Sequence, residues 1–158
     1  MRIPLVLLTV FVLALTAVAG AQAGLARFLT ATTSQLSLRN GEGTVVIYAR
    51  GAVIGSVDRG RITITDRPSG TDTDIVVTGE DVDKTIERSD RTTVYRGTEM
   101  RFRVFAGDWR VGITGEGIDL SAVADGTVTL KGEAGTYAID GSSYRRWPQE
   151  FKSFRLGD

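Results

Sequence analysis

The sequence contains neither cysteine nor histidine. The chain therefore has no thiolate or imidazole for a zinc site, no cysteine nucleophile and no imidazole general base. Ser-His-Asp and Cys-His catalysis are excluded for the same reason. The lack of cysteine also excludes disulfide bonds and a lipid-modified cysteine, so the hydrophobic core alone must stabilise the fold.

An excess of charge of either sign is also lacking, because 19 Lys and Arg residues balance 19 Asp and Glu residues. This balance argues against bulk electrostatic binding of nucleic acid or of an anionic membrane. Lysine occurs only as Lys84, Lys131 and Lys152, and none of them lies in a known Ser-Lys catalytic motif. We therefore expect no nucleic-acid partner, no cofactor and, on balance, no enzymatic activity.

The N-terminal segment has the composition of a secretory signal. Arg2 supplies a positive start, residues 5–18 are apolar apart from two threonines, and Ala21-Gln22-Ala23 provides a small-x-small cleavage pattern. We expect removal of residues 1–23, which leaves a mature chain of residues 24–158 that is secreted or associated with the cell envelope. The alternative is an uncleaved N-terminal membrane anchor, because the uncharged stretch after Arg2 is long enough to span a bilayer. In neither case is the mature domain itself embedded in a membrane.

Helix signals are nearly absent, and strand signals dominate the mature chain. Proline occurs three times and glycine 19 times, and segments 62–65 and 127–130 alternate threonine with aliphatic residues. The spacing of turn residues indicates about ten to twelve short strands, as in a β-sandwich or barrel. The 135 residues at positions 24–158 have the length of a single domain.

One segment of the chain occurs twice, at an offset of 66 residues, so that residues 41–64 align without a gap with residues 107–130. The identical positions combine apolar residues with glycine and include no reactive group, so the repeat defines a scaffold. We predict an antiparallel sandwich or barrel of two tandem β-meanders, with repeat 1 at about 34–66 and repeat 2 at about 92–132. A short β-solenoid is the alternative, although the repeat is far longer than one solenoid coil.

Hairpins within each repeat are predicted from turn dipeptides. Asn40-Gly41 is a favoured type I′ pair in repeat 1, and Ala106-Gly107 occupies the equivalent place in repeat 2. A two-residue loop at Ala106-Gly107 would pair Val104 with Trp109. Both repeats give the same register by this arithmetic.

Four other glycines are predicted to shape corners or loops. The apolar positions change from odd to even numbers at Gly51 and at Gly117, which indicates a bulge or a tight corner at each glycine. Gly60 and Gly126 each end a three-residue segment that suits a hairpin loop, and both are therefore expected to have a positive φ.

The repeats are joined by residues 67–91, a polar segment that we expect to be a solvated loop with one strand at about 75–77. Its acidic residues, at 72–74 and 80–83, lack the ligand spacing of a calcium-binding loop, so no metal site is expected.

The remaining residues, 133–158, are predicted to form a C-terminal hairpin and tail. Asp140-Gly141 is the expected two-residue turn, and it would place Tyr137 opposite Tyr144.

Arginines provide the candidate binding site. The predicted hairpin of repeat 2 places Arg103 directly opposite Arg110, whereas repeat 1 has Ser37 and Thr44 at the equivalent positions. Like charges directly opposite each other on paired strands are unfavourable. Because the scaffold does not require arginine at these positions, the unfavourable pair suggests a function. We predict a patch that recognises a cell-wall glycan or a protein carboxylate; it comprises Arg101, Arg103, Arg110, Arg145, Arg146 and Trp147.

A carboxylate-based glycan hydrolase is the alternative function, with Glu116 and Asp119 as the candidate pair. Their counterparts in repeat 1 are Arg50 and Val53, so the scaffold does not require acids there. We expect both to be exposed surface charges. The preferred prediction is a non-catalytic module with a binding or structural role, whose partner is an anionic polymer or a protein surface.

The chain resembles small secreted all-β proteins of unknown function from high-GC Gram-positive bacteria. The resemblance rests on the leader, on the 16 arginines against three lysines, and on segments such as 117–123 and 126–130. It implies a secreted all-β domain and implies nothing about activity.

Overall fold

The computed structural model describes residues 33–67, 73–86 and 91–157. Five strands are present in these residues: β1 (Ser34–Arg67), β2 (Asp74–Ile86), β3 (Thr92–Ile139), β4 (Arg145–Arg146) and β5 (Lys152–Leu156). All strand pairs are antiparallel, and none of the described residues is helical. The prediction of an antiparallel all-β fold is confirmed.

The predicted signal segment, residues 1–23, lies outside the described residues. Within the described ranges, no helix has the length and apolar character needed to cross a membrane.

Two long strands, β1 with 34 residues and β3 with 48 residues, form most of the sheet. They pair with each other along both edges. Ala124 of β3 pairs with Ser34 and also with Gly51, which lies 17 positions further along β1. Val111 likewise pairs with both Ile47 and Ile64. The two strands therefore form an antiparallel ribbon that is coiled on itself, so that successive turns of the ribbon are hydrogen-bonded to each other. The expectation of about ten to twelve short strands is wrong for this reason.

The predicted hairpin of repeat 2 is absent. Val104 pairs with Val53 of β1, and Trp109 pairs with Ala49, so repeat 2 pairs with repeat 1. Ala106 and Gly107 have φ values of 61° and 67°, as a type I′ turn requires. Here these two residues of positive φ bend β3 without reversing its direction. Before the bend the buried side chains are at even-numbered positions, and after it they are at odd-numbered positions.

Asn40 bends β1 in the same way, with a φ of 45°. The predicted turn at Asn40-Gly41 does not reverse the chain, because Leu36 pairs with Ala122 and Ile139 of β3. An asparagine-glycine pair between apolar segments is thus used here for a bend within one long strand.

The burial pattern confirms one predicted corner and contradicts the other. At Gly117, where φ is 63°, burial passes from odd-numbered to even-numbered positions, as expected. At Gly51 the prediction is wrong, because the odd-numbered Val53 and Val57 are buried and Ile54 is 50 % exposed. The side chain of Ile54 therefore lies on the outer surface of the sheet.

The predicted three-residue loops are also absent, since Gly60 lies inside β1 and Gly126 lies inside β3. Gly126 has the expected positive φ, at 157°, whereas Gly60 is not among the residues of positive φ. Both positions also exclude a side chain because another strand segment packs closely against them. An added Cβ would overlap the carbonyl oxygen of Thr114 at Gly60 and that of Tyr48 at Gly126.

Strand β2 includes the predicted short strand and continues to Ile86, through a segment that was expected to be a loop. It pairs with residues 93–105 of β3. The short strands β4 and β5 also pair with β3. The order of the main strands is β1-β3-β2, and the sheet formed by the described residues is not closed.

The predicted turn at Asp140-Gly141 is present, with φ values of 52° and 68°. The register after the turn differs by one residue, because Tyr137 pairs with Arg145 and not with Tyr144. One extra residue lies between the turn and β4, and this residue shifts the pairing.

The inward-facing side chains of β1 and β3 form one hydrophobic core. Trp109 is fully buried at its centre and donates a hydrogen bond from Nε1 to the carbonyl oxygen of Gly51 at 3.1 Å. Trp147 is also buried, at 5 % exposure, and its Nε1 donates to the carbonyl oxygen of Thr136 at 3.2 Å. Trp147 therefore packs in the core and does not contribute its ring to a surface patch.

Candidate binding face

Arg101 and Arg103 lie on the outer side of β3, as the alternation of side chains along a strand requires. The intervening residues, Phe102 and Val104, are buried, whereas both arginines and Phe105 are exposed. The sequence therefore predicted correctly that these two arginines share one face.

The neighbouring strand segments add apolar side chains to this face. Ala52 of β1 pairs with both Phe105 and Val123, and Ile54 pairs with both Arg103 and Ser121. Directly paired residues project to the same side of a sheet. Ile54 and Val123 are 50 % exposed, and Phe105 is 37 % exposed. We refer to the outward side chains of residues 52–56, 101–105 and 119–123 as the arginine face.

The two guanidinium groups differ in their surroundings. Arg103 Nη2 lies 3.8 Å from Asp74 Oδ2, and Arg103 Cζ lies 5.8 Å from the centre of the Phe105 ring. Both side chains of the ion pair are more than half exposed, so solvent weakens the attraction. No described carboxylate lies within ion-pair distance of Arg101. Arg101 therefore supplies the positive charge of the face that has no ion-pair partner among the described residues, and the face also carries the exposed carboxylate of Asp119.

A cation–π pair borders the arginine face. Arg39 Cζ lies 4.2 Å from the centre of the Tyr144 ring, and the hydroxyl groups of Tyr144 and Ser37 are 2.9 Å apart. Ser37 pairs with Ser121 of the face. Sequence reasoning missed Arg39 and Tyr144 because they are 105 positions apart and no local pattern links them.

Arg145 and Arg146 form the short strand β4, and both are exposed. Arg146 pairs with Thr136, which in turn pairs with Arg39, so Arg146 extends the border of the face. Arg145 pairs with Tyr137. Two more of the arginines predicted from the sequence therefore lie close to this part of the sheet.

Arg110 does not lie opposite Arg103, because it pairs with Tyr48 and Thr65. Its Nε donates a hydrogen bond to the Tyr48 hydroxyl group at 2.8 Å, and its Cζ lies 5.2 Å from the centre of the Tyr48 ring. The bend at Ala106-Gly107 removes the predicted pairing and carries Arg110 to a different part of the outer surface.

The two candidate catalytic acids are exposed, and each contacts a different residue. Glu116 Oε1 lies 3.3 Å from Arg59 Nη1, and Asp119 Oδ1 accepts a hydrogen bond from the backbone of Asn40 at 3.1 Å. Each acid thus has a separate contact on the exposed surface, and neither is buried.

Three of the described groups have shifted pKa values. The hydrogen bond between Arg50 and Asp108 raises the pKa of the guanidinium group and lowers the pKa of the carboxyl group, and burial raises the pKa of the Tyr95 hydroxyl group. None of the three lies on the arginine face. Within residues 33–67, 73–86 and 91–157, no group of three or more His, Cys, Asp or Glu side chains is placed to hold a metal ion.

Comparisons of this chain with protein-family models, with curated proteins and with solved structures found no match.

Proposed function

We propose that this chain is a non-catalytic module of the cell surface or cell envelope that binds an acidic protein surface through the arginine face. The observation that carries the proposal is the composition of that face. Ile54, Val123 and Phe105 form an exposed apolar centre, and Arg101 and Arg103 lie beside it on the same strand as Phe105.

An apolar centre bordered by arginine is the composition of a protein–protein interface. Exposed apolar side chains that cluster on one face favour a protein partner over a polysaccharide, because a protein offers apolar groups for them to bury. The arginines require a partner with carboxylates, since a guanidinium group binds a carboxylate through two parallel hydrogen bonds. The scaffold itself does not demand these arginines, because Gln35 and Ser37 occupy the equivalent positions of repeat 1.

The proposal includes an internal repeat and secretion. Equivalent pairs in the sheet support a relationship between the repeats: Val45 pairs with Leu130, and the residues 66 positions away from these, Val111 and Ile64, also pair. A two-layer sandwich of such repeats would account for the single core. The apolar leader and the Ala21-Gln22-Ala23 pattern support secretion. N-terminal sequencing of secreted protein should give Gly24 as the first residue, and recovery of the full-length chain in membranes alone would contradict cleavage.

Retention on immobilised peptides tests the binding proposal. The probe is a synthetic peptide of alternating glutamate and leucine, compared with poly-glutamate and with polygalacturonate. Replacing both Arg101 and Arg103 with serine should weaken binding to the first peptide by about tenfold or more, which corresponds to about 1.4 kcal/mol. The Ile54→Ser variant should weaken binding to the same peptide and leave binding to poly-glutamate unchanged.

The matched control replaces Arg59 and Arg155 with serine, which gives the same change of net charge outside the arginine face. It should bind like the unmodified protein. Equal losses in the two double variants would mean that only the overall charge matters. Preferential retention on polygalacturonate that is lost when both Arg101 and Arg103 are replaced with serine would favour a polymer partner at the arginine face and contradict the proposal.

A further inference from the structure

Gly112 lies in the interior of β3 without either of the two usual structural reasons for glycine. Its φ is not positive, and an added Cβ would approach no atom more closely than 3.9 Å. Every other glycine of the described residues has either a positive φ or an atom within 3.0 Å of an added Cβ. Glycine weakens the interior of a strand, and it often marks a place where a ligand approaches the backbone.

The other repeat has a side chain at the equivalent position. Val46 lies 66 positions before Gly112 and pairs with it directly across β1 and β3. Arg110 likewise replaces Thr44 of repeat 1. The scaffold therefore accepts valine where repeat 2 has glycine, and repeat 2 has both lost a side chain and gained a guanidinium group at this place.

A hollow of about 450 Å³ lies over this part of the outer surface, which is within the usual size of small-ligand sites. Gly112, Val46, Thr44, Thr63 and Thr114 are among the residues that line it. The hydroxyl groups of Thr44 and Thr114 are 3.3 Å apart. The lining thus combines hydroxyl groups, which both donate and accept hydrogen bonds, with the aliphatic Val46 and with two arginines, Arg61 and Arg110.

The guanidinium group of Arg110 is held at the end of this hollow. The hydrogen bond from Nε to the Tyr48 hydroxyl group and the contact with the Tyr48 ring fix its orientation. Its Nη1 lies 3.9 Å from the position that a Cβ of Gly112 would occupy. No described carboxylate forms an ion pair with Arg110. A preorientated guanidinium group without an acidic partner is suited to bind a carboxylate.

We propose that the hollow over Gly112 binds an acidic sugar, with the carboxylate on Arg110, the ring hydroxyl groups on the threonines and the C–H face against Val46 and Gly112. A simple inorganic anion would need only the arginines and hydroxyl groups of the hollow and would leave Val46 and Gly112 without a role. This site goes beyond the proposed protein-binding function and uses none of the residues of the arginine face.

Titration of the ¹⁵N-labelled protein with glucuronate, followed by NMR, tests this proposal at the millimolar affinities expected of a single sugar. Glucuronate should shift the amide signals of residues 44–48, 61–65 and 110–114. Glucose, which lacks the carboxylate, and inorganic phosphate, which lacks the ring, should each bind at least roughly tenfold more weakly.

Two variants and one control sharpen the test. Gly112→Val places a side chain in the hollow where the sugar ring would lie, and Arg110→Gln removes the guanidinium group; each should weaken glucuronate binding by roughly tenfold or more. Thr127→Val changes an exposed residue of the same surface that does not line the hollow, and it should bind like the unmodified protein.

Several results would overturn the proposal: undiminished binding by Gly112→Val, equal binding of phosphate and glucuronate, or no shifts in these three segments. The outcome is independent of the protein-binding function, because serine at positions 101 and 103 should leave glucuronate binding intact.

Discussion

Val46 of β1 and Gly112 of β3 lie directly opposite each other in the sheet and at equivalent positions of the repeated segment, 66 residues apart. The same position thus carries a valine side chain in one repeat and none in the other. This pair links the scaffold, which both repeats share, to the features that only one repeat has.

The stability of the Gly112→Val variant tests whether glycine is structurally required. A valine has space there, and β-branched residues favour strands, so the free energy of unfolding should rise by about 0.5 kcal/mol or more. Chemical denaturation gives this value. A loss of more than about 1 kcal/mol would mean that Gly112 has a structural role that its surroundings do not reveal.

Gly60 and Gly126 should behave in the opposite way. An added Cβ would overlap the carbonyl oxygens of Thr114 and Tyr48 on the adjacent strand segments, so Gly60→Ala and Gly126→Ala should each lower the free energy of unfolding by about 1–3 kcal/mol. The same denaturation experiment measures this loss. Unchanged stability in both variants would contradict the close approach of the strands.

These two positions illustrate what sequence reasoning could and could not predict. The alternation of apolar residues predicted strands correctly, and it placed Arg101 and Arg103 on one outer face. The prediction of hairpin loops ending at Gly60 and Gly126 was wrong. Glycine is needed at these positions because a distant segment packs closely against them, and not because the chain turns there.

The repeat also led to a wrong prediction of the strand register. Asn40-Gly41 and Ala106-Gly107 are good turn pairs, and they gave the same hairpin arithmetic in both copies. The agreement of the two copies does not support the hairpin register independently, because related copies share the same local turn residues. Each copy in fact pairs with the other copy, and a local pattern carries no information on such distant pairing. The border pair Arg39 and Tyr144 escaped prediction for the same reason.

Acid should weaken the fold through Asp108. Arg50 donates hydrogen bonds from Nε and Nη2 to the two carboxylate oxygens of Asp108, both at 3.0 Å, and the pKa of Asp108 is lowered as a result. Because the folded pKa lies below the unfolded value of about 3.9, the stabilisation is fully present above that value and is lost as the pH falls through the folded pKa.

Urea midpoints measured from neutral pH to about pH 2 test this dependence. The Asp108→Asn variant cannot lose this contribution on acidification, so its midpoint should fall less steeply below about pH 4. Identical acid profiles for the variant and the unmodified protein would show that the Arg50–Asp108 pair does not contribute.

Trp147 should contribute to stability and not to binding. Its ring is buried and its Nε1 donates to Thr136, so Trp147→Phe should lower the free energy of unfolding by about 1–3 kcal/mol. Retention of the folded variant on the glutamate–leucine peptide should be unchanged. Weaker retention at full stability would return Trp147 to the binding site predicted from the sequence.

The most direct test of the proposed function is to map the contact surface by NMR with the ¹⁵N-labelled mature protein and the glutamate–leucine peptide. The account predicts that the perturbed amides fall in residues 52–56, 101–105 and 119–123, and that serine at positions 101 and 103 abolishes most of the perturbation. Perturbations confined to other segments, or undiminished in the double variant, would contradict the claim that the arginine face is the binding surface.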